Sequence, residues 1–195
     1  MARPRKIEKD DALEAAMQAF WAKGYEATSM QDLMDATGLK KGSLYQSFGD
    51  KKQLFMDALQ RYADRNYHKF KDYMRDAASP GAALEGFLTE EFVGFALENT
   101  TRQGCFVVNS TVELGPHDDD VRALVHRQNE RMEALFTETL QKAQDEGAIR
   151  KDIPAEDLAV EMNVMLYGLM ADSKSSGDAE RTRKLAANFF RSLSP

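Results

Sequence analysis

The stretch Ala36-Thr37-Gly38-Leu39-Lys40-Lys41-Gly42-Ser43-Leu44-Tyr45-Gln46-Ser47-Phe48-Gly49-Asp50-Lys51 decides how the rest of the chain reads. Gly38 supplies the left-handed backbone that a tight turn between helices needs. Leu39 is an apolar turn residue placed to pack beneath both neighbours. Leu44 and Phe48 stand four apart, so on a helix they share one face. The opposite face then carries Lys40, Lys41, Ser43, Gln46 and Ser47, with Tyr45 between the two. Helix, glycine turn and a second short helix form the helix-turn-helix pattern. Lys and Ser suit phosphate, and Gln pairs bidentately with adenine. Gly42 lets that helix approach a backbone or a thymine methyl closely. From periodicity alone, an ordinary helical hairpin with a solvated basic face stays open.

Working outward, a helix is expected over 7–23, with Leu13, Ala16, Met17, Phe20 and Trp21 on one face and Gly24 as its stop. A second begins at Thr28, with Gln31 completing a capping box, and ends at Gly38. The third runs over 40–47. Asp50 with Gln53 starts a fourth, over 51–76, long enough at ~1.5 Å per residue to join two domains. Lys51 and Lys52 place charge at its N-terminus, which favours phosphate. Arg3, Arg5 and Lys6 form a short basic arm. Further helices are expected over 82–100, 103–114, 118–146, 155–173 and 178–193. Their separators are the 77–81 segment, Thr100-Thr101-Arg102, Gly115-Pro116-His117, the stretch from Gly147 to Pro154 and that from Ser173 to Gly177. All five prolines (4, 80, 116, 154 and 195) lie at ends or breaks, as an all-helical chain requires. Cys105-Phe106-Val107-Val108 is the sole ambiguous strand-like run.

The composition of these 195 residues, 43% apolar and 30% charged, excludes global disorder. One cysteine excludes an intrachain disulfide and a Cys-rich metal centre, and three histidines leave little material for any other metal or cofactor site. No stretch approaches the ~20 apolar residues that span a bilayer, and the N-terminus lacks an apolar signal core, so a cytoplasmic protein without membrane contact is expected. The net charge of −6 hides an asymmetry: residues 1–75 carry 14 Lys and Arg against 11 Asp and Glu, and the remainder 12 against 21. Only the first third is therefore suited to a polyanion.

At these residues the chain resembles the TetR family of transcriptional regulators. The similarity runs from Ala15 to Leu54 through Phe20, Gly24-Tyr25 and Thr28-Ser29-Met30, and is most specific in Gly42-Ser43-Leu44-Tyr45-x-x-Phe48-x-x-Lys51. It implies an all-α protein of about nine helices: a three-helix DNA-binding domain over 1–50, and a larger effector-binding and dimerisation domain over 51–195. The family's phosphate contacts would fall on Thr28, Tyr45 and Lys51. Its base-reading contacts would fall around Lys41, Gly42, Ser43 and Gln46, with Lys40 beside them. The family often has Val-Ser at Leu39-Lys40 and Tyr-His or His-His at Gln46-Ser47, which points to a different operator. Lys52 replaces a common acidic residue and would add charge near the phosphates.

For the body, Phe92, Phe95, Met132 and Met165 with Asn109, Gln128 and Asn129 are the candidate lining of a mostly apolar effector pocket. Cys105 joins them: a helix N-terminus lowers a thiol's pKa, and the stretch from Gly104 to Asn109 resembles a family subgroup in which a cysteine senses electrophiles or oxidants. Leu158, Met162, Met165, Leu166 and Leu169, and Leu185, Phe189 and Leu193 with Phe190, form two stripes expected to make a four-helix bundle in a homodimer. The expected function is a repressor released from double-stranded operator DNA by a small-molecule or thiol-reactive effector, with no catalysis. The alternatives are an activator, a thiol-dependent enzyme built on Cys105 and His117, and a helical small-molecule-binding protein that does not touch DNA.

Overall fold

The computed structural model describes residues 8–97 and 103–195, so the basic arm of Arg3, Arg5 and Lys6 and the Thr100-Thr101-Arg102 separator lie outside the described residues. Among these residues the chain is all-α, with nine helices. They are α1 (Lys9–Lys23), α2 (Met30–Thr37), α3 (Lys41–Phe48), α4 (Lys51–Asp76), α5, α6 (Phe106–Leu114), α7 (Asp119–Asp145), α8 (Ala155–Ser176) and α9 (Ala179–Ser192). Helix α5 is three consecutive segments, Pro80–Gly86, a π-helical turn Phe87–Glu91 and Phe92–Leu97. The Cys105–Val108 run is helical apart from Cys105, which caps α6.

The caps explain the boundaries. Gly38 adopts φ 68°, ψ 7° and stops α2, as its place in the turn requires. The Asp50 carboxylate accepts from the Gln53 amide and starts α4, and Asp118 likewise accepts from Asp120 and Val121 at α7. Two expectations need correction. The box that opens α2 uses Ser29 and Asp32, one residue later than Thr28 and Gln31. Helix α5 begins at Pro80, not 82, because Ser79 caps it and Pro fits the first helical position.

Two apolar cores meet along α4. The first fills the α1–α3 head with Met17, Phe20, Leu33, Leu44 and Phe48, takes in Leu54, Phe55 and Leu59 from the start of α4, and receives Phe106 and Leu114 from α6 and Val121 and Leu124 from α7. The second lies in the body, where Phe70 and Met74 of α4 pack on Phe87, Phe136, Leu140 and Met162. Within the first core, aromatic edges tie the head to α4 and α6: Phe55 meets Phe20 at 5.2 Å and Phe106 at 5.6 Å, and Tyr62 meets Phe106 at 5.7 Å. The head is thus packed onto the body through α4 and α6.

One expected interface stripe proves to be interior. Leu158, Met162, Leu166 and Leu169 of α8 are buried within their own chain, Met165 is half-buried against the body core, and Leu193, which caps the end of α9, is buried too. The apolar side chains of α8 left to solvent are on the other side, with Val160 47% and Val164 65% exposed, followed by exposed Gly168 and Ala171.

Candidate nucleic-acid interface and ligand cavity

Helix α3 divides as its spacing demands. Leu44 and Phe48 are buried, while Lys41, Gly42, Ser43, Tyr45, Gln46 and Ser47 are exposed, with Lys40 at the N-cap. A methyl group added at Gly42 would meet nothing within 4 Å. The fold therefore does not need a glycine there, and the missing side chain opens space only toward the outside. Lys51 begins α4 with its ammonium 4.3 Å from the Tyr25 ring centroid, which holds the cation at a helix N-terminus. Lys41 lies 5.9 Å from the Tyr45 ring. Together these residues make one cationic, hydrogen-bonding surface around a bare helix backbone.

Two residues expected at that surface are engaged elsewhere. Thr28 is fully buried, and its hydroxyl donates to the Gly24 carbonyl at 2.6 Å, so it shapes the α1–α2 turn and offers no phosphate donor in this state. Lys52 pairs with Asp118, the N-cap of α7, instead of adding charge to the DNA face. That ion pair is partly buried and ties the start of α4 to the body.

A stronger tie was missed in the sequence. Glu113, on the last turn of α6, reaches the turn after α1 and accepts from the Tyr25 amide at 3.1 Å and the Glu26 amide at 2.9 Å. Gly24 sits beneath it with φ +85°, where an added Cβ would fall 2.8 Å from the carboxylate. Nearby, Trp21 donates from Nε1 to the Gly104 carbonyl at 3.0 Å. Both ends of the 104–114 segment therefore hold α1 and the turn that follows it. Hydrogen bonds to a carboxylate are worth about 1.5–3 kcal/mol each when sheltered, and the exposed Glu26 bond belongs at the low end.

The body holds a small, mostly apolar cavity at the other end of α6. Phe92, Phe95, Cys105, Gln128, Asn129 and Met132 all line it, as the sequence suggested, with Tyr62, Asn66 and Tyr167 added. Two expected lining residues are elsewhere. Asn109 donates to the Gln103 carbonyl at 2.7 Å and accepts from Lys174 at 3.0 Å, stapling the segment before α6. Met165 packs on the body core without reaching the cavity. Within the wall, Tyr167 donates to Asn129 Oδ1 at 2.5 Å. Gln128 turns its amide toward the Ala63 carbonyl at 3.4 Å.

Cys105 occupies the N-cap of α6, as its position after Gly104 indicates. Burial pushes the thiol above its ordinary range and outweighs the Val108 amide, the Tyr62 hydroxyl and the Val107 amide, which favour the thiolate. The reactive thiolate expected from the helix N-terminus is therefore not present in this state. His117 is exposed beyond the far end of α6, so no Cys105–His117 pair forms and the thiol-hydrolase alternative lacks its geometry. Among the described residues no group of three acidic, His or Cys side chains could hold a metal ion, and no helix is long and apolar enough to cross a membrane.

Comparisons with known proteins converge on one kind of molecule. Residues 12–58 match the family model described as bacterial regulatory proteins, tetR family, and residues 84–189 match the tetracyclin repressor-like C-terminal domain. The chain is 30% identical over 192 residues to the HTH-type transcriptional repressor ComR of Escherichia coli K12, covering 97% of this chain and 90% of that one. It is 29% identical to the HTH-type transcriptional regulator YezE of Bacillus subtilis 168, covering 93% of each. Among solved structures, a cysteine mutant of the TetR family regulator CifR complexed with 26-base-pair double-strand operator DNA superposes with a TM-score of 0.85 at 28% identity, covering 98% of this chain and all of that one.

Two outcomes follow from the geometry. Gly42→Ala should raise stability by about 0.5–1 kcal/mol, as expected for an exposed helical site, yet weaken specific DNA binding. Urea unfolding and fluorescence anisotropy would read the opposite signs, and unchanged DNA affinity would remove Gly42 from the interface. For Cys105, a raised pKa means less thiolate at pH 8 than in a free cysteine. Iodoacetamide should thus react at least about tenfold more slowly with the native protein than with the urea-unfolded chain, the rate climbing only at higher pH. Equal rates would show an ordinary accessible thiol.

Proposed function

Because the chain belongs to the TetR family of transcriptional regulators, we propose that it is a repressor whose hold on double-stranded operator DNA is relaxed by a small-molecule effector. The observation that carries the reading is α6: its N-cap Cys105 and first-turn valines line the cavity, while Glu113 near its other end grips the head. A ligand that moves the cavity wall must move or strain the contacts that set the head's position. An effector shifts the equilibrium only by its differential affinity for the two arrangements. Beyond the head's apolar seat on α4 and α6, the directional contacts that fix its angle are a few hydrogen bonds and one ion pair, a few kcal/mol in sum.

In this reading residues 1–50 carry the DNA contacts. Lys41, Gly42, Ser43 and Gln46 face base edges, Tyr45, Lys40 and Lys51 hold phosphate, and residues 51–195 bind effector and partner. The protonated, sheltered thiol favours a reversibly bound molecule over an oxidant as the first trigger. No catalytic step is assigned, since the family is one of regulators. The partner is a second copy of the chain. Val160, Val164, Gly168 and Ala171 form one unpartnered strip of α8 at helical spacing, with Leu185 exposed on neighbouring α9. An added Cβ at Gly168 would meet nothing within 4 Å, so a second helix has room to lie close. Two heads held by one such bundle match a two-fold operator.

Selection of bound sites from random duplex DNA tests the whole proposal, and a two-fold consensus is the expected result. Lys51→Ala should weaken binding to every sequence and lower the salt slope by about one, whereas Gln46→Ala should alter the selected bases and leave the slope alone. Lys52→Ala serves as a contrast, with a slope near that of the unaltered protein. An unchanged slope in Lys51→Ala would remove its phosphate role. Val164→Asp should yield a folded monomer by sedimentation, with operator affinity reduced at least about tenfold. A dimer that survives this change would place the interface elsewhere.

A further inference from the structure

Two polar groups in the cavity wall lack a partner. Tyr62 Oη and Asn66 Nδ2 are buried and make no hydrogen bond among the described residues. Both residues line the cavity and stand four apart on α4, so their side chains share one face, a turn from each other. Tyr62 is 1% exposed, and burial holds its phenol far above the ordinary range, so it keeps its proton. The Phe106 amide and the Cys105 thiol lie beside the phenol oxygen without normal hydrogen-bond geometry. Sulfur is in any case a weak acceptor. The phenol O–H therefore has no acceptor better than that sulfur among the described residues. An unmet buried donor is costly enough that native structures seldom keep one without reason.

The remaining wall fixes the rest of the ligand's chemistry. It consists mainly of Ala63, Phe70, Phe92, Phe95, Met132 and Leu166, with no Lys, Arg or His among the described residues that line it. An anion would be buried there without a countercharge, at a prohibitive desolvation cost. The other amides are already engaged in part: the Gln128 amide donates to Ala63, the Asn129 oxygen accepts from Tyr167, and the Asn163 amide donates to Glu133 at 3.0 Å. The cavity holds about 70 Å³, roughly half of a ~150 Å³ cavity known to admit benzene. Its natural occupant therefore has only a handful of non-hydrogen atoms.

We propose that this cavity takes a small, neutral, mostly apolar molecule bearing one hydrogen-bond-accepting oxygen, which Tyr62 and Asn66 hold together from α4. This rests on the cavity being the effector site, and it names the class of effector. It also gives α4 a direct hand on the ligand, through a residue that itself packs on Phe106 and stands two turns from Phe55. Asn66 can be turned over so that its oxygen faces inward, so Tyr62 carries more of the weight.

The test compares butanone with 2-methylbut-1-ene, in which a methylene replaces the carbonyl oxygen at nearly constant shape. A ketone avoids the ready thiol addition of an aldehyde at Cys105. Binding is followed by the methyl signals of Met132 and Met170 in the full-length protein, with affinities in the micromolar range or weaker for ligands this small. The ketone should bind at least about tenfold more tightly than the alkene. Tyr62→Phe should cut that preference to about twofold or less while the alkene binds as before, and Asn66→Leu should reduce it partially. Equal affinities in the unaltered protein, or no saturable binding of either probe, would overturn the inference even if both variants failed to fold, as would a preference that survives in folded Tyr62→Phe. Operator binding is measured on the same samples. A ketone preference without any DNA affinity would sink the regulatory reading alone, and DNA affinity without the preference would sink this inference alone.

Discussion

One carboxylate sets where the head of this molecule can be. Glu113 reaches from the last turn of α6 to cap the Tyr25 and Glu26 amides, and Gly24 has no side chain to obstruct it. Those two amides follow α1, where the chain turns toward α2, so they stand at the root of the helix-turn-helix. Take the carboxylate away and the head keeps its apolar seat on Phe55 and Phe106 but loses directional contacts that fix its angle. Apolar burial is strong and unoriented, whereas hydrogen bonds are weaker and specify geometry. The position of α3 relative to the rest of the chain depends on having both.

The nine-residue α6 is therefore short, stiff and shared. Its first turn is cavity wall and its last turn is the head's anchor, a span of only ~13 Å at 1.5 Å per residue. Helices transmit displacement well over so few turns because their internal hydrogen bonds resist bending. The Lys52–Asp118 pair and the Trp21–Gly104 hydrogen bond flank the same route. Each is individually modest, in the range where a ligand's differential affinity competes with it.

Much of this was legible beforehand, because local rules and global packing agree in the head. Gly38 and Asp50 announced their helix ends through turn and cap chemistry, and α4 falls over 51–76 as its apolar recurrence and caps dictated. Thr28 misled because Thr and Ser are both good caps and stand side by side: Ser29 took the cap, and Thr28 turned inward to Gly24. Helix α8 misled for a different reason. It is apolar on both sides, with Leu158 and Met162 on one and Val160 and Val164 on the other, so periodicity could not say which faced the body. Glu113 and Tyr62 were out of reach. The first acts on residues more than 80 positions away, and the second reads in sequence as one more apolar repeat of α4.

The π-helical turn Phe87–Glu91 has its own bearing on how such a cavity can be shaped. A wide turn accommodates one residue more than an α-turn, and so resets the phase of everything after it by about a hundred degrees. Phe87 and Leu88 are both fully buried before that reset, and Phe92 and Phe95 line the cavity after it. The bulge thus acts as a vernier between the two halves of α5. Deleting a single residue there would restore an unbroken α-helix and keep both cavity phenylalanines on their present face, whereas closing the turn with no residue lost would swing them away from the cavity, which makes this turn a place where a chain of the same architecture could trade one effector shape for another without rebuilding its core.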